Sequence, residues 1–167
     1  TDSYDATGTV LKEKKLIQPF SGAEIQENMN KFVGEIVQVP PIYSAVKVNG
    51  KHLYEYAREE IEVERPQRKV EVKQYDLTKE PVFDINTGQE SFDFKIKCSK
   101  GTYVRSLVND LGEKLDCPAT MTYLRRTASS GFDITQAVKL KEIEENPEKA
   151  TELIQPIDAF FKEYTQV

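Results

Sequence analysis

The residues best suited to chemistry lie in the segment Cys98–Leu107, where a turn leads into a predicted helix. Gly101 lets the backbone turn, and Thr102 is the predicted N-cap because its hydroxyl can bind a free amide at a helix start. Tyr103 and Arg105 would then lie on a rigid first turn. There a guanidinium can hold a carboxylate with two parallel hydrogen bonds and keep it ionised.

A purely structural interpretation of this segment stays open. In it, Arg105 pairs with an acid of the scaffold and Tyr103 covers the core. Structural ion pairs are common, so spacing alone favours this interpretation over a catalytic one.

Basic and aromatic residues alternate in three segments, which span residues 40–58, 98–107 and 123–127. Such a mixture suits RNA, because cations bind phosphates and aromatic rings stack on unpaired bases. The segments therefore predict contact with RNA.

Other catalytic and metal-binding chemistries have little support in the chain. There is no Gly-rich phosphate-binding loop and no strand-turn-helix serine motif. One histidine, His52, and two cysteines, Cys98 and Cys117, are too few for a typical zinc site. Two cysteines form no disulfide framework, which favours a reducing compartment and predicts a cytoplasmic location. Paired-carboxylate catalysis stays open, although most acidic residues lie on polar faces or in the tail.

Length and charge limit the class of protein. The 167 residues, 38% of them apolar, correspond to about one domain, and no apolar run approaches the roughly 18 residues of a membrane helix. The 23 basic and 28 acidic residues give a net charge of -5, which does not by itself favour nucleic acid. The charge is unevenly distributed, however: the stretch Lys95 to Arg126 has seven basic and three acidic residues. That stretch could present a positive face.

Periodicity, caps and turn residues predict an α+β fold: a mixed, largely antiparallel sheet with flanking helices, in a single domain over residues 1–167. Helices are predicted from a Ser21 cap to about Val33 and over residues 53–60, 104–115, 140–145 and 147–154. Strands are predicted over residues 10–16, 43–48, 68–77, 82–85, 92–98 and 121–129, with turns at Asn49-Gly50 and Asn86-Thr87-Gly88.

Four motifs, in their order and spacing, resemble the TruB family of bacterial tRNA pseudouridine synthases. They read Pro-Pro-x-Tyr-Ser-Ala-x-Lys from Pro40, Leu-Tyr-Glu-x-Ala-Arg from Leu53, Cys-Ser-Lys-Gly-Thr-Tyr-x-Arg from Cys98 and Leu-Arg-Arg from Leu124. The opening residues 1–8 also resemble a segment of that family. The resemblance is less distinctive in the tail, and the Tyr-Ser-Ala-x-Lys element is more similar to the bacterial stand-alone enzymes than to guide-RNA-dependent relatives.

The resemblance implies a mixed α/β catalytic domain with its cleft across the middle of a long antiparallel sheet. The implied reaction isomerises one uridine in the T-loop of tRNA: the base flips out, its bond to the ribose is cut, the base turns and a carbon–carbon bond closes. No metal or organic cofactor is implied. The implied partner is tRNA, through its T-loop and T-arm, with no membrane and no obligate protein partner.

The resemblance also implies roles for individual residues. Tyr103 would lie against the flipped base as a stacking partner and candidate proton acceptor, and Arg105 would pair with the catalytic aspartate. Leu124 would pack against the base from its other side, so that these three side chains converge on one cleft. Lys47 and Arg58, and less strongly Lys100, would contact the substrate RNA.

One departure from the family pattern is large. The family's catalytic aspartate lies in a Gly-x-Leu-Asp-Pro motif, and neither Leu-Asp-Pro nor the preceding His-Gly-Gly stretch occurs in this chain. Asp2 and Asp5 do not match that motif and are not assigned its role. The chain is therefore interpreted as part of a catalytic domain without its N-terminal portion, with an incomplete sheet. We expect the Arg105 guanidinium to be solvated, bound to an anion or satisfied by a substitute acid.

Three functional interpretations remain. The leading one is a portion of a tRNA pseudouridine synthase catalytic domain. The alternatives are a non-catalytic RNA-binding module of the same fold without the nucleophile, and a structural domain whose basic-aromatic segments serve only packing.

Overall fold

Alternating apolar residues make Arg68–Leu77 the central strand of the main sheet, with Val70 and Val72 on one buried face. The register shifts between Val72 and Gln74, and this irregularity returns Tyr75 to the same buried face. The computed structural model describes residues 1–154.

The elements, in chain order, are α1 (Gly22–Asn30), β1 (Gly34–Gln38), β2 (Lys47–Val48), β3 (Lys51–His52), α2 (Leu53–Arg58), β4 (Arg68–Leu77), β5 (Val82–Asp84), β6 (Gln89–Ser91), β7 (Phe94–Cys98), α3 (Val104–Lys114), β8 (Ala128–Ser129), β9 (Phe132–Asp133), a 3-10 turn (Ile134–Gln136), α4 (Leu140–Glu145) and α5 (Glu148–Leu153). By its internal contacts the chain divides into two units, residues 1–123 and residues 124–167.

The main sheet of the first unit has the strand order β1-β4-β7, and both pairs are antiparallel. The remaining strands form two-stranded antiparallel hairpins, β2-β3, β5-β6 and β8-β9. The predicted α+β class with a largely antiparallel sheet is therefore confirmed.

The core of the first unit lies where α1 and α3 meet the buried side of β4. Its buried members are apolar side chains from these elements and their flanks: Ile25, Met29, Phe32, Val72, Tyr75, Leu107 and Leu111. Each aliphatic side chain removed from water here contributes roughly 1.5–3 kcal/mol to folding. This core fixes the position of α3, and with it the first turn of that helix.

Two helix starts illustrate where local sequence signals hold and where they fail. α1 begins as predicted, with the Ser21 hydroxyl accepting a hydrogen bond from the Glu24 amide at 3.2 Å. The predicted N-cap of α3 is wrong: Tyr103 occupies that position, and the Thr102 hydroxyl instead donates to the Ser99 carbonyl at 2.9 Å. The Thr102 side chain therefore closes the turn after β7, and the helix begins one residue later.

Four predicted strand assignments differ from the structure. Residues 10–16 form no strand, and the one predicted over 43–48 is confined to Lys47–Val48. The hairpin at Asn86-Thr87-Gly88 pairs β5 with β6, while β7 pairs with β4. In the stretch 121–129, Met121 forms a single bridge with Asp5 and only β8 is a strand. Local patterns do not show which distant strand a segment pairs with, and this accounts for these errors.

The second unit, as far as residue 154, contains the β8-β9 hairpin, the 3-10 turn, α4 and α5. The predicted helices over 140–145 and 147–154 correspond to α4 and α5. Among residues 1–154, no helix has the length and apolar character needed to cross a membrane.

Candidate functional site

The Arg105 guanidinium links α3 to two distant parts of the chain. Its Nη1 donates to the Ser3 carbonyl at 2.9 Å and to the Asp5 Oδ2 at 3.1 Å, and its Nη2 donates to the Tyr43 carbonyl at 2.8 Å. The Arg105 side chain is 21% exposed. Asp5 is an acid of the scaffold, as the structural interpretation of this segment expects, and it is also the substitute acid among the three arrangements expected for Arg105. It is held through one carboxylate oxygen rather than by a fork of two bonds.

The Asp5 carboxylate is built to stay ionised. Its Oδ1 accepts hydrogen bonds from the Thr7 hydroxyl, the Thr7 amide and the Ser3 hydroxyl. The Thr7 hydrogen bonds and that from Ser3, with the Arg105 charge, hold the pKa of Asp5 below its usual value. At neutral pH the site therefore contains an anion beside the guanidinium.

The segment that carries Asp5 is anchored by the backbone. The Ala6 amide donates to the Met121 carbonyl at 2.9 Å, and the Met121 amide donates to the Tyr4 carbonyl at 3.1 Å. A Cβ on Gly8 would lie 2.2 Å from the Ser3 Oγ, so the turn closing this segment tolerates only glycine. The position of Asp5 is thus set by the fold and not by Arg105 alone.

Tyr103 is held by a side-chain amide rather than by a cap of its own helix. The Tyr103 amide donates to the Gln38 Oε1 at 2.7 Å, and the Gln38 Nε2 donates to the Tyr103 carbonyl at 3.0 Å. One turn further, the Ser106 hydroxyl donates to the Val39 carbonyl at 2.8 Å. The end of β1 and the start of α3 are therefore joined by three hydrogen bonds.

Buried polar side chains concentrate around this helix start. Among the residues of the described part of the chain, the buried polar ones are Ser3, Gln38, Ser44 and Ser106. Each of them either contacts the first turn of α3 or adjoins a residue that does. Burying polar groups is costly unless they are hydrogen bonded, and the side chains of Ser3, Gln38 and Ser106 have partners here, whereas the Ser44 hydroxyl has none within residues 1–154. Their concentration makes this helix start the candidate site.

Lys47 and Arg58 share a hairpin–helix unit, which consists of β2, β3 and α2. Lys47 is exposed, and its Cα pairs with that of His52 across the hairpin. The His52 and Tyr54 rings are stacked, with their centroids 5.1 Å apart. The Arg58 guanidinium lies over the same Tyr54 ring, 5.2 Å from its centroid. The unit adjoins the Arg105 site because the Tyr54 amide donates to the Ser44 carbonyl at 3.1 Å.

The other two predicted contact residues lie elsewhere. Lys100 is exposed in the turn between β7 and α3, next to Gly101 with its φ of 83°. Leu124 begins the second unit and is 52% exposed. Its convergence with Tyr103 and Arg105 stays a prediction.

A groove of about 650 Å³ flanks the Arg105 site. It is lined by Asp2, Tyr4, Leu11, Ile42, Glu60, Ile61, Glu62, Val63, Glu64 and Arg65. The groove is lined by four carboxylates and one guanidinium, so its charge is negative and would repel a phosphate. It is therefore not a candidate RNA channel. Within residues 1–154, no group of three or more His, Cys, Asp or Glu side chains is arranged to hold a metal ion.

Sequence reasoning missed two residues of this site. Asp5 was set aside because it does not match the catalytic motif, yet it is the acid that Arg105 contacts. Gln38 gave one usable signal: it is a polar residue on the core-facing side of an alternating strand, directly before Val39 and two prolines. A polar residue in such a place needs a buried partner.

Comparisons with known proteins agree with the motifs. The model of the TruB family pseudouridylate synthase N-terminal domain matches residues 1–104, and that of the tRNA pseudouridylate synthase B C-terminal domain matches residues 105–162. A tRNA pseudouridine synthase B of Lactobacillus acidophilus is 75% identical over all 167 residues of this chain, which cover 56% of that protein. The protein of the same name from Lactobacillus delbrueckii subsp. bulgaricus is 59% identical over the same length.

The chain thus spans about half the length of the curated relatives it matches. Among solved structures, a chain of a Cbf5-Nop10-Gar1 complex is similar with a TM-score of 0.56 and 27% identity. That similarity covers 78% of this chain and 33% of the other one.

Proposed function

Because the chain belongs to the TruB family of pseudouridylate synthases, we propose that it forms part of an enzyme that converts a T-loop uridine of tRNA to pseudouridine. The observation that carries the proposal is the joint anchoring of Tyr103 and Arg105 on one helix turn. These are the two residues to which the family resemblance gives catalytic roles. A tRNA substrate is also consistent with the proposed cytoplasmic location.

The reaction sets what such a site must supply. The bond between N1 of the uracil and C1′ of the ribose breaks, and a bond between C5 and C1′ forms. The C5 hydrogen leaves as a proton and N1 gains one, so the product is an isomer of the substrate. Cleaving the N1–C1′ bond near neutral pH needs a positioned carboxylate, acting as a nucleophile or a base toward the sugar.

Arg105 has capacity to hold that carboxylate. A guanidinium has five N–H donors, and three of them are used by Ser3, Asp5 and Tyr43. Within residues 1–154 the other two N–H groups have no protein acceptor, and we propose that they bind the catalytic aspartate of the complete enzyme. Asp5 and the two carbonyls then fix the guanidinium plane before the substrate arrives.

The remaining site residues are proposed to bind the substrate. The Tyr103 ring would stack on the flipped base, with Leu124 on the other side of that base. The exposed cations Lys47, Arg58 and Lys100 lie in the first unit, and exposure is what contacts with phosphates require. In this proposal residues 1–167 act as one portion of a catalytic domain, with no obligate protein partner.

The proposal is tested in a hybrid enzyme in which this chain replaces the matching region of the Lactobacillus acidophilus relative. Tritium release from tRNA labelled at C5 of uridine reports the reaction. We expect the hybrid to release tritium, and we expect release to stop when the T-loop uridines of the substrate are replaced by cytidine. Arg105→Lys in the hybrid should lower kcat by about tenfold or more, because the fork geometry is lost although the charge remains.

Two results would contradict the proposal. Undiminished release from tRNA without T-loop uridines would assign a different substrate position. A correctly folded hybrid that binds tRNA and releases no tritium, beside an active relative, would favour the non-catalytic RNA-binding module.

A further inference from the structure

We propose that Gln38 is a positioning residue that holds Tyr103 in place for the reaction. This inference rests on the proposed function only for its catalytic consequence. Its structural part, that the Gln38 amide fixes the Tyr103 backbone, stands on the hydrogen bonds of this chain.

The Gln38 side-chain amide binds the Tyr103 backbone as a residue of a neighbouring β-strand would, because it accepts from the amide and donates to the carbonyl. Gln38 Oε1 accepts from the Tyr103 amide at 2.7 Å, and Gln38 Nε2 donates to the Tyr103 carbonyl at 3.0 Å. Gln38 is 2% exposed, so water does not compete for either bond. Buried bonds of this kind are expensive to leave unmade, which makes the pairing specific.

Tyr103 depends on this outside partner because of its place in the chain. It lies just before α3, with φ of -95° and ψ of 106°, and makes no side-chain cap. An amide at this position has no acceptor within the helix, and the Thr102 hydroxyl is bound to the Ser99 carbonyl. The Gln38 oxygen therefore accepts from the N-cap amide, as the N3 Glu or Gln side chain does in a capping box.

Gln38 is itself held firmly. It is the last residue of β1 and pairs with Arg68 of the central strand β4. The next carbonyl, that of Val39, accepts the Ser106 hydroxyl at 2.8 Å, and Pro40 and Pro41 then restrict the backbone. The main sheet thus reaches the first turn of α3 through the Gln38 amide and the Val39 carbonyl, and only the Gln38 amide contacts Tyr103 among these bonds. Displacements of about 1 Å at such a turn can lower rates up to about a hundredfold.

The chain contains a matched control for this contact. Gln26 on α1 makes the same kind of amide clamp on β4: its Nε2 donates to the Tyr75 carbonyl at 3.0 Å and its Oε1 accepts from the Leu77 amide at 2.8 Å. It contacts neither Tyr103 nor Arg105 in the described part of the chain. Gln26→Met therefore removes two bonds of the same kind, together with a bond from its Nε2 to the Asn30 Oδ1 at 2.9 Å, from a place that the proposal gives no catalytic role.

The first experiment uses the chain itself. NMR of Gln38→Met should show faster hydrogen exchange at the Tyr103 amide and shifted Tyr103 ring resonances, while Gln26→Met leaves both unchanged. Tyr103 signals that are the same in Gln38→Met and in the unsubstituted chain would overturn the proposal.

The second experiment places the same substitutions in the hybrid, at a temperature at which each variant is fully folded. Gln38→Met should lower kcat for tritium release about tenfold or more with KM within about twofold, and Gln26→Met should change neither. Gln38→Glu, which keeps the acceptor for the Tyr103 amide, should fall between Gln38→Met and the unsubstituted hybrid.

Equal kcat in the Gln38→Met and Gln26→Met hybrids would show that the contact is structural only and would overturn the positioning role. An unsubstituted hybrid without activity would instead contradict the proposed function. The NMR comparison would in that case still decide whether Gln38 fixes Tyr103.

Discussion

Arg105 joins parts of the chain that are about a hundred residues apart, and one carboxylate balances its charge. Asp5 contacts it through a single oxygen, and both side chains are about one-fifth exposed. Exposed ion pairs of this kind contribute little to stability by themselves. The pair matters because backbone carbonyls and the Thr7 hydroxyl fix both partners, so that the guanidinium is oriented before any substrate binds.

The pH dependence of stability tests the Asp5 arrangement. The Thr7 and Ser3 hydrogen bonds and the Arg105 charge lower the pKa of Asp5 in the folded chain. A lowered pKa contributes stability that is present above the unfolded value, about 3.9, and is lost as pH falls through the folded value. In urea denaturation, Asp5→Asn should therefore have a lower free energy of unfolding than the unsubstituted chain. The difference between the two should be constant from pH 5 to 7 and should narrow below about pH 4.

The comparison with Asp5→Asn isolates this carboxylate, since other acids with lowered pKa values, such as Asp84 and Asp133, titrate in both proteins. If the difference in free energy of unfolding between the two proteins stays constant down to pH 3, or widens, the Asp5 charge is not what stabilises the segment.

At the scale of elements, the sequence predicted those whose pattern is long and regular. α3 and β4 are confirmed with nearly the expected bounds, because each is long enough, at eleven and ten residues, for its apolar pattern to outweigh local ambiguity. The failures involve short segments. The expected strand over residues 10–16 has no partner in the sheet, and the start of α3 is held by a long-range contact from Gln38 rather than by a local Thr102 cap. Hydrogen bonds between residues far apart in sequence leave no periodic signal, which is also why the acid beside Arg105 was missed.

Gly112 on α3 offers a test of how this helix is positioned. In a helix interior, Gly to Ala usually stabilises by roughly 0.5–1 kcal/mol. Here a Cβ would lie 2.6 Å from the Cys117 carbonyl oxygen and 2.7 Å from the Ala119 Cβ, so the returning chain would have to move. Gly112→Ala should therefore destabilise, by about 1–3 kcal/mol in thermal or urea unfolding.

The matched control is Gly22→Ala at the start of α1. A Cβ there would meet the Glu80 Oε2 at 2.9 Å, which is the end of a flexible side chain that can move away. This variant should unfold close to the unsubstituted chain. Equal stabilisation by both alanines would mean that residues 117–119 do not pack against α3 as described.

The exposed cations of the hairpin–helix unit, which consists of β2, β3 and α2, lead to a separate prediction about the salt dependence of RNA binding. Each phosphate contact releases counterions, so a lost contact lowers the slope of log affinity against log salt by about one. Lys47→Ala and Arg58→Ala should each weaken binding of tRNA to the chain and flatten this slope in filter-binding titrations.

Lys79→Ala serves as the control, because the Lys79 ammonium is paired with Asp93 at 2.7 Å on another part of the first unit. It should leave the slope nearly unchanged. Salt slopes equal to that of the unsubstituted chain for both Lys47→Ala and Arg58→Ala would remove these residues from the proposed RNA contact.

At the scale of the whole molecule, the proposed activity needs side chains that this chain contains and a catalytic aspartate motif that it does not. Tyr103 and Arg105 can orient a base and a carboxylate, but no position in the chain matches the family's catalytic aspartate motif. Binding contacts lower a barrier only where they are stronger in the transition state than in the ground state. The chain alone should therefore bind tRNA weakly and leave its uridines unchanged.

The most direct test of this division measures tritium release from C5-labelled uridine in tRNA by the chain alone, the Lactobacillus acidophilus relative and the hybrid, side by side. The account predicts multiple turnovers by the relative and by the hybrid, and no release above background by the chain alone. Multiple turnovers by the purified chain, free of contaminating synthase, would contradict the account, because a residue within these 167 positions would then supply the catalytic carboxylate.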